Sequence, residues 1–238
     1  MAKTLKIKGV IVPRDDAWFY DMLDMEHTSI THVEDFMAGI QNGEPITVQI
    51  SSGSGDVWTG SDIYSALKNH LGHVTIEIQS LCASIATVIA SAGDTVRMSP
   101  VGQYMIHGAS MVAYGNKNDM ADSAEFLAKV DKTLRNAYLS KAKNVTDEQL
   151  SEWMEKDTWF TAQEALEYGF IDEIMHDEER VLASPEEYRV AAYTGGLIPS
   201  EKIRAFKQKK SESILQNYEN GKILEAKLKL LTLGGYDE

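Results

Sequence analysis

The chain has 238 residues, 43% of them apolar, which is enough for one sizeable α/β domain with or without an appendage. Its net charge of −13 excludes a general nucleic-acid binder, because nothing would offset repulsion from phosphates. The single cysteine, Cys82, excludes an intrachain disulfide and suits a reducing compartment.

Residues 1–7 lack the apolar h-region and cleavage site of a secretory signal. Leu5 and Ile7 alternate with Lys6 and Lys8, and Val10, Ile11 and Val12 follow, which predicts a first strand half exposed at its start. Thr31-His32-Val33-Glu34 has the form of a capping box. Val33, Phe36, Met37 and Ile40 then share one helical face, ended by Asn42-Gly43. Residues 46–50 read as a strand that delivers a small-residue loop, Ser51-Ser52-Gly53-Ser54-Gly55-Asp56. Residues 61–71 read as a helix with Ile63, Leu67 and Leu71 inward, and Val74, Ile76 and Ile78 as an alternating strand. Small and β-branched residues over 84–92 predict a closely packed helix. The apolar run 81–92 is shorter than the ~18 residues of a membrane span.

Gly93-Asp94 turns the chain into two short strands, 95–98 and 103–106. A long helix is expected over 119–143, with Met120, Leu127, Val130, Leu134, Ala137 and Tyr138 at a spacing of three to four. Capping boxes at Thr146 and Thr161 open two short helices, Gly169 stops the second, and 170–174 read as a last strand. Strand–helix alternation through residue 174 indicates an α/β fold. A soluble, cytoplasmic protein without a membrane partner is expected. The tail differs: 176–187 is acidic, 193–199 is linker-like, and 201–233 is basic and helical by composition, with Leu224, Leu228 and Leu231 along one face. Residues 201–229 carry eight Lys/Arg against four Asp/Glu, which leaves about −17 on the rest of the chain. The expected organisation is therefore a body over 1–176 and an acidic linker with a basic helical extension over 177–238. That extension would pack on the acidic body, on a neighbouring copy or on an acidic partner.

Three features carry chemistry. Ser84 stands at the start of a helix right after a strand, where open α/β folds place their sites, with the Ile85 N–H beside it as a donor. A plain helix cap explains the same serine. His107 closes an apolar strand downstream and suits a general base, or equally a core or turn histidine. Gly55 can offer a backbone N–H to an oxyanion, or simply turn the chain. The loop lacks the Gly-Lys-Ser/Thr of a P-loop and the GxGxxG of a dinucleotide site, and the other histidines form no metal-ligand spacing. Cys82, two residues before Ser84, reads as core. Spacing alone does not choose an orienting acid among 36 carboxylates.

Four segments in order resemble the proteolytic subunit of the Clp protease. They are Ser51-Ser52-Gly53-Ser54-Gly55, then Leu81-Cys82-Ala83-Ser84, then Met105-Ile106-His107, and finally Asp157-Thr158-Trp159-Phe160-Thr161-Ala162-Gln163-Glu164-Ala165 with the following Tyr168-Gly169-Phe170. The resemblance covers 46–174 closely. It implies a ClpP/crotonase-like spiral of β-β-α units with a long protruding helix. It also implies Ser84 as nucleophile, His107 as base, Asp157 as orienting acid and the Gly55 and Ile85 amides as oxyanion hole, with no metal or organic cofactor. The implied activity is serine endopeptidase, working as a ring-forming homo-oligomer, a heptamer or double ring stacked through residues 108–143. Gly55-Asp56-Val57-Trp58-Thr59-Gly60, the run 92–96 and the basic tail look closer to phage and prophage head-maturation members, whose substrates are scaffold or capsid proteins. The alternatives are a housekeeping-type subunit working with an ATP-driven unfoldase, a crotonase-fold acyl-CoA enzyme and a non-catalytic ring. Gly53, Ser54, Ser80 and Gly108 depart from the family's usual residues.

Overall fold

The computed structural model describes residues 3–175 and Lys222. The expected acidic linker, basic helix and boundary near residue 176 lie outside the described residues. One compact unit comprises Met1–Asp21 with Met25–Val181, and the second, Met22–Asp24 with Leu182–Glu238, falls almost wholly outside the described part.

In chain order the elements are β1 (Lys3–Lys8), β2 (Val10–Ile11), a 3₁₀ turn (Arg14–Asp16), α1 (Ala17–Met22), β3 (His27–Thr28), α2 (Ile30–Ala38), β4 (Ile46–Ser52), α3 (Val57–Lys68), β5 (Val74–Ala83) and α4 (Ile85–Ala90). They continue with β6 (Thr95–Met98), β7 (Gln103–Ile106), α5 (Lys117–Lys141), α6 (Asp147–Glu155), β8 (Thr158–Thr161), α7 (Ala162–Glu167) and β9 (Glu173–Ile174). The main sheet runs β1-β4-β5-β6-β9, all parallel, as strand–helix alternation requires.

Alternation fixes which face of the sheet is dry. Ile46, Val48 and Ile50 of β4 and Val74, Ile76 and Ile78 of β5 are buried beneath helices. Each such side chain contributes about 1.5–3 kcal/mol of transfer free energy. The opposite face is polar: Lys6, Gln49, Glu77, Arg97 and Glu173 stand in one register row across five strands. Glu77 accepts there from Arg97 at 2.8 Å and from Gln49 at 3.1 Å. Helices α3 and α4 approach closely because Gly60 has no Cβ; one built there would stand 2.1 Å from Ile85 Cγ1.

One departure from plain alternation matters for the site. The first half of β5 pairs with β6, over residues 75–78, and its second half pairs with β7, over 81–83. Strand β7 then takes β8 on its other edge, antiparallel.

Several sequence expectations shift. Helix α2 starts at Ile30, with Ser29 rather than Thr31 as its cap: Ser29 N–H donates to His32 Nδ1 at 3.0 Å. It ends at Gly39, so Ile40 packs on the core from outside the helix. Helix α3 starts four residues before its expected start because the Asp56 carboxylate accepts from Thr59 N–H at 2.7 Å. Leu71, expected inward, is exposed. Strand β5 runs on to Ala83, so α4 is only six residues long. Met120 faces solvent, and the buried stripe of α5 is Val130, Leu134, Ala137 and Tyr138. The caps at Thr146 and Thr161 accept from Gln149 and Glu164 N–H as expected. Strand β8 was not expected, and the last strand, expected over 170–174, is just two residues.

Candidate active site

Strand registers converge three side chains. Ala83 pairs with Met105 in the parallel β5–β7 ladder, so Ser84 and His107 both lie just past their strand ends. Ile106 pairs with Thr158 in the antiparallel β7–β8 ladder, so Asp157 lies opposite His107. The side chains follow. His107 Nε2 is 2.7 Å from Ser84 Oγ, and His107 Nδ1 is 3.8 Å from Asp157 Oδ1. The first distance is a hydrogen bond and the second is too long for one.

Ser84 does not cap the helix that follows it: its side chain makes no bond to the α4 N-terminus. Its backbone sits at φ 59°, ψ −132°, which turns the side chain out of the capping position. A non-glycine residue there costs about 1–3 kcal/mol and persists only when its surroundings hold it. They do. Ser84 N–H donates to Met105 O at 2.9 Å, and the Ser84 carbonyl accepts from Thr87 N–H and from the Thr87 hydroxyl. With a proton on Nδ1, His107 accepts the Ser84 O–H at Nε2, the arrangement that lets an imidazole act as base.

Asp157 is built differently. It follows the α6 C-cap with φ 51°, a left-handed conformation that aspartate tolerates better than most residues. Its side chain is 71% exposed, against 29% for His107. Its carboxylate comes within ion-pair range of a protonated imidazole without bonding a neutral one.

The two expected oxyanion donors sit on different elements: Ile85 directly follows Ser84, and Gly55 lies between β4 and α3. Ile85 N–H belongs to the first residue of α4, where backbone donors lack helical partners. Gly55 forms a parallel bridge with Ile11 through its neighbours: Ile11 N–H donates to Ser54 O at 3.1 Å and Asp56 N–H donates to Ile11 O at 2.8 Å. In such a bridge the N–H of Gly55 itself points away from Ile11. A Cβ on Gly55 would stand 2.3 Å from Ile11 O, so only glycine fits.

Further bonds tie the small-residue loop to its neighbours. Ser52 Oγ donates to Gly9 O at 2.7 Å, and Ser80 Oγ lies 2.8 Å from Ser51 Oγ. Ser54 supplies, through its backbone, the carbonyl that Ile11 binds, and nothing in the structure explains its side chain. Gly108 fits beside α5, where a Cβ would stand 3.2 Å from Asp131 Oδ2.

An apolar groove opens between the Gly55–Trp58 segment and the middle of α5, lined among others by Val57, Trp58, Met111, Phe126 and Val130. The Trp58 and Phe126 rings, both largely exposed, lie 6.4 Å apart across it. Cys82 is fully buried and its thiol is pushed far above its ordinary range by that burial, which suits a core residue. Among the described residues no group of three or more His, Cys, Asp or Glu is placed to hold a metal, and no helix is long and apolar enough to cross a membrane. Sequence reasoning missed Thr87 and Asp131 and saw Tyr138 only as core; the 3–4 spacing of α5 was the one signal that pointed at Tyr138.

A model of the Clp protease family matches residues 26–178. The ATP-dependent Clp protease proteolytic subunit of Streptococcus mutans serotype c is 34% identical over 148 residues, covering 60% of this chain and 75% of that protein. The subunit of the same name from Streptococcus gordonii strain Challis is 34% identical over 144 residues, covering 59% and 73%. Among solved structures, a ClpP1 point mutant from Listeria monocytogenes is similar in fold, with a TM-score of 0.57 at 21% identity over 74% of this chain and 92% of that one.

Proposed function

Because this chain belongs to the Clp protease family, we propose that it is a serine endopeptidase with Ser84 as nucleophile, His107 as general base and Asp157 as orienting acid. The observation that carries the reading is the 2.7 Å contact between Ser84 Oγ and His107 Nε2. In the reaction, Ser84 Oγ attacks a peptide carbonyl while its proton passes to His107 Nε2. The carbonyl oxygen takes the negative charge and is held by the Gly55 and Ile85 N–H groups. His107 then protonates the leaving amine, the C–N bond breaks, and an acyl-Ser84 ester is left. Water, deprotonated by His107, repeats the sequence and frees the acid. Asp157 stabilises the imidazolium by closing the 3.8 Å gap once His107 is charged. The apolar groove beside Gly55 suits an apolar substrate side chain next to the scissile bond.

The finer reading is a phage or prophage head-maturation protease acting on scaffold or capsid protein, supported by the Gly55–Gly60 segment and the basic tail composition. The names of the relatives favour a second reading, a proteolytic subunit coupled to an ATP-driven unfoldase. Both readings take a ring-forming homo-oligomer as the working state.

A fluorophosphonate probe tests the chemistry. Wild type should be labelled on Ser84 and Ser84→Ala should not; equal labelling of both defeats the peptidase reading. Incubating the labelling-competent enzyme with a capsid precursor, with and without an unfoldase and ATP, separates the two finer readings. Light scattering that shows only monomer at micromolar concentration would remove the ring.

A further inference from the structure

Helix α5 bonds to a neighbour of each member of the Ser84–His107 pair, Thr87 and Ala109, through polar side chains that the chemistry described above does not use. On the nucleophile's side, the Tyr138 hydroxyl lies 2.7 Å from Thr87 Oγ1. The Thr87 hydroxyl has one proton, and it donates that proton to the Ser84 carbonyl. Thr87 must therefore accept from Tyr138, and the chain of donors runs Tyr138 to Thr87 to Ser84. Burial pushes the Tyr138 phenol well above its ordinary range, so the donor stays protonated. Both Thr87 and Tyr138 are buried, and the bond they end on holds a residue at φ 59°.

On the base's side, the half-buried Asp131 carboxylate accepts from Ala109 N–H at 2.7 Å. Ala109 is two residues past His107, and the intervening Gly108 donates its N–H to Met154 O at 3.0 Å. The backbone leaving His107 is thus pinned on two sides. Asp131 and Tyr138 are seven residues apart, two helical turns, so they project from one side of α5.

We propose that Tyr138 and Asp131 are positioning residues through which α5 sets the Ser84–His107 geometry, Tyr138 acting on the nucleophile through Thr87 and Asp131 on the base through Ala109. The inference rests on the serine-peptidase reading. Without the Tyr138 hydroxyl, Thr87 loses its donor and is free to rotate off the Ser84 carbonyl. Without Asp131, the 108–109 backbone loses its α5 anchor. Neither residue lines the groove beside Gly55, so the loss falls on the chemical step and not on occupancy of the groove.

The test is saturation kinetics of fluorophosphonate inactivation on the full chain, which separates the maximal rate from the half-saturating probe concentration. Tyr138→Phe keeps the ring and its edge contact with Phe170. It should slow the maximal rate about tenfold and leave half-saturation within about twofold. Asp131→Ala should do the same. Asp131→Asn keeps a carbonyl oxygen for Ala109 N–H and should recover to within about threefold of wild type. Tyr104→Phe removes another buried hydroxyl, one that donates to the Thr87 carbonyl at 3.4 Å and interacts with the Ser91 and Thr87 side chains; since Tyr138 is the 2.7 Å partner of Thr87 Oγ1, the maximal rate should stay unchanged. The proposal is overturned if Tyr138→Phe reacts at the wild-type rate, if Asn at 131 is as slow as Ala, or if Tyr104→Phe is as slow as Tyr138→Phe. Wild type that fails to label on Ser84 defeats the peptidase reading itself; wild type that labels while every variant matches it defeats only the bracing.

Discussion

The Ser84 side and the Asp157 side of this site are built to different standards. Ser84 is held in a strained conformation by Met105, by Thr87 and through Thr87 by Tyr138, and its hydroxyl already meets His107 at 2.7 Å. Asp157 stands on a left-handed residue at the end of α6, largely in water, 3.8 Å from the imidazole. Strand register explains the contrast. Ser84 and His107 leave adjacent parallel strands of the main sheet, whose β5 core is buried. Asp157 enters through a four-residue antiparallel strand on the sheet's margin. The Ser84–His107 geometry is thus written into the core, and the placing of Asp157 depends on a short edge element.

Removing the base should cost the most. His107→Ala is expected to slow inactivation by a fluorophosphonate probe about 10⁴-fold, a loss far beyond any change in the folded fraction at 25 °C. A loss under about tenfold would mean that the Ser84 contact is structural and that the tight side of the comparison is not the working one.

Asp157→Asn should cost less, about 10- to 100-fold, since an exposed carboxylate beyond hydrogen-bond distance orients the resting imidazole weakly. Equal losses at 107 and 157 would show that the acid side tightens fully in the working enzyme, and the asymmetry would then belong to the resting chain alone.

The same contrast governs what was legible in the sequence. Alternation at Ile46–Ile50 and Val74–Ile78 located the strands, and Thr146 and Thr161 located two caps, because these signals are local. Ser29 and Asp56 won over the expected helix starts through bonds made to His32 and Thr59 three residues on, which spacing rules do not rank. Ser84 looked like a cap from its neighbours; only the φ of 59° takes its hydroxyl off the helix, and that angle is imposed by Met105 on another strand. Asp157 was one of 36 carboxylates until β8 paired with β7 and set it opposite His107; before that, only family resemblance chose it. Long-range register, not propensity, is the missing information in each case.

The smallest effect sharpens the comparison from outside the site. Asp172 fastens the C-terminal end of α5: it accepts from Lys141 and Lys143 and from Val96 N–H at 2.8 Å. Burial alone would raise its carboxyl, but the bonds from Lys141 and Val96 and the Lys141 charge outweigh that and hold it below the ordinary 3.8. A depressed carboxylate contributes stability that is fully present above its unfolded value and is lost as pH falls through the folded one. Asp172→Asn should therefore be less stable than wild type by about 1 kcal/mol in urea at pH 7, and the gap should close as the pH drops below 3.8. Its inactivation rate at pH 7 should stay within about twofold of wild type, because the brace on Ser84 runs through Tyr138 and not through Lys141. A gap that is unchanged in acid would remove the charge from the account. A rate that falls as far as that of Tyr138→Phe would mean that the whole seating of α5, and not one hydroxyl, holds the tight side of the site.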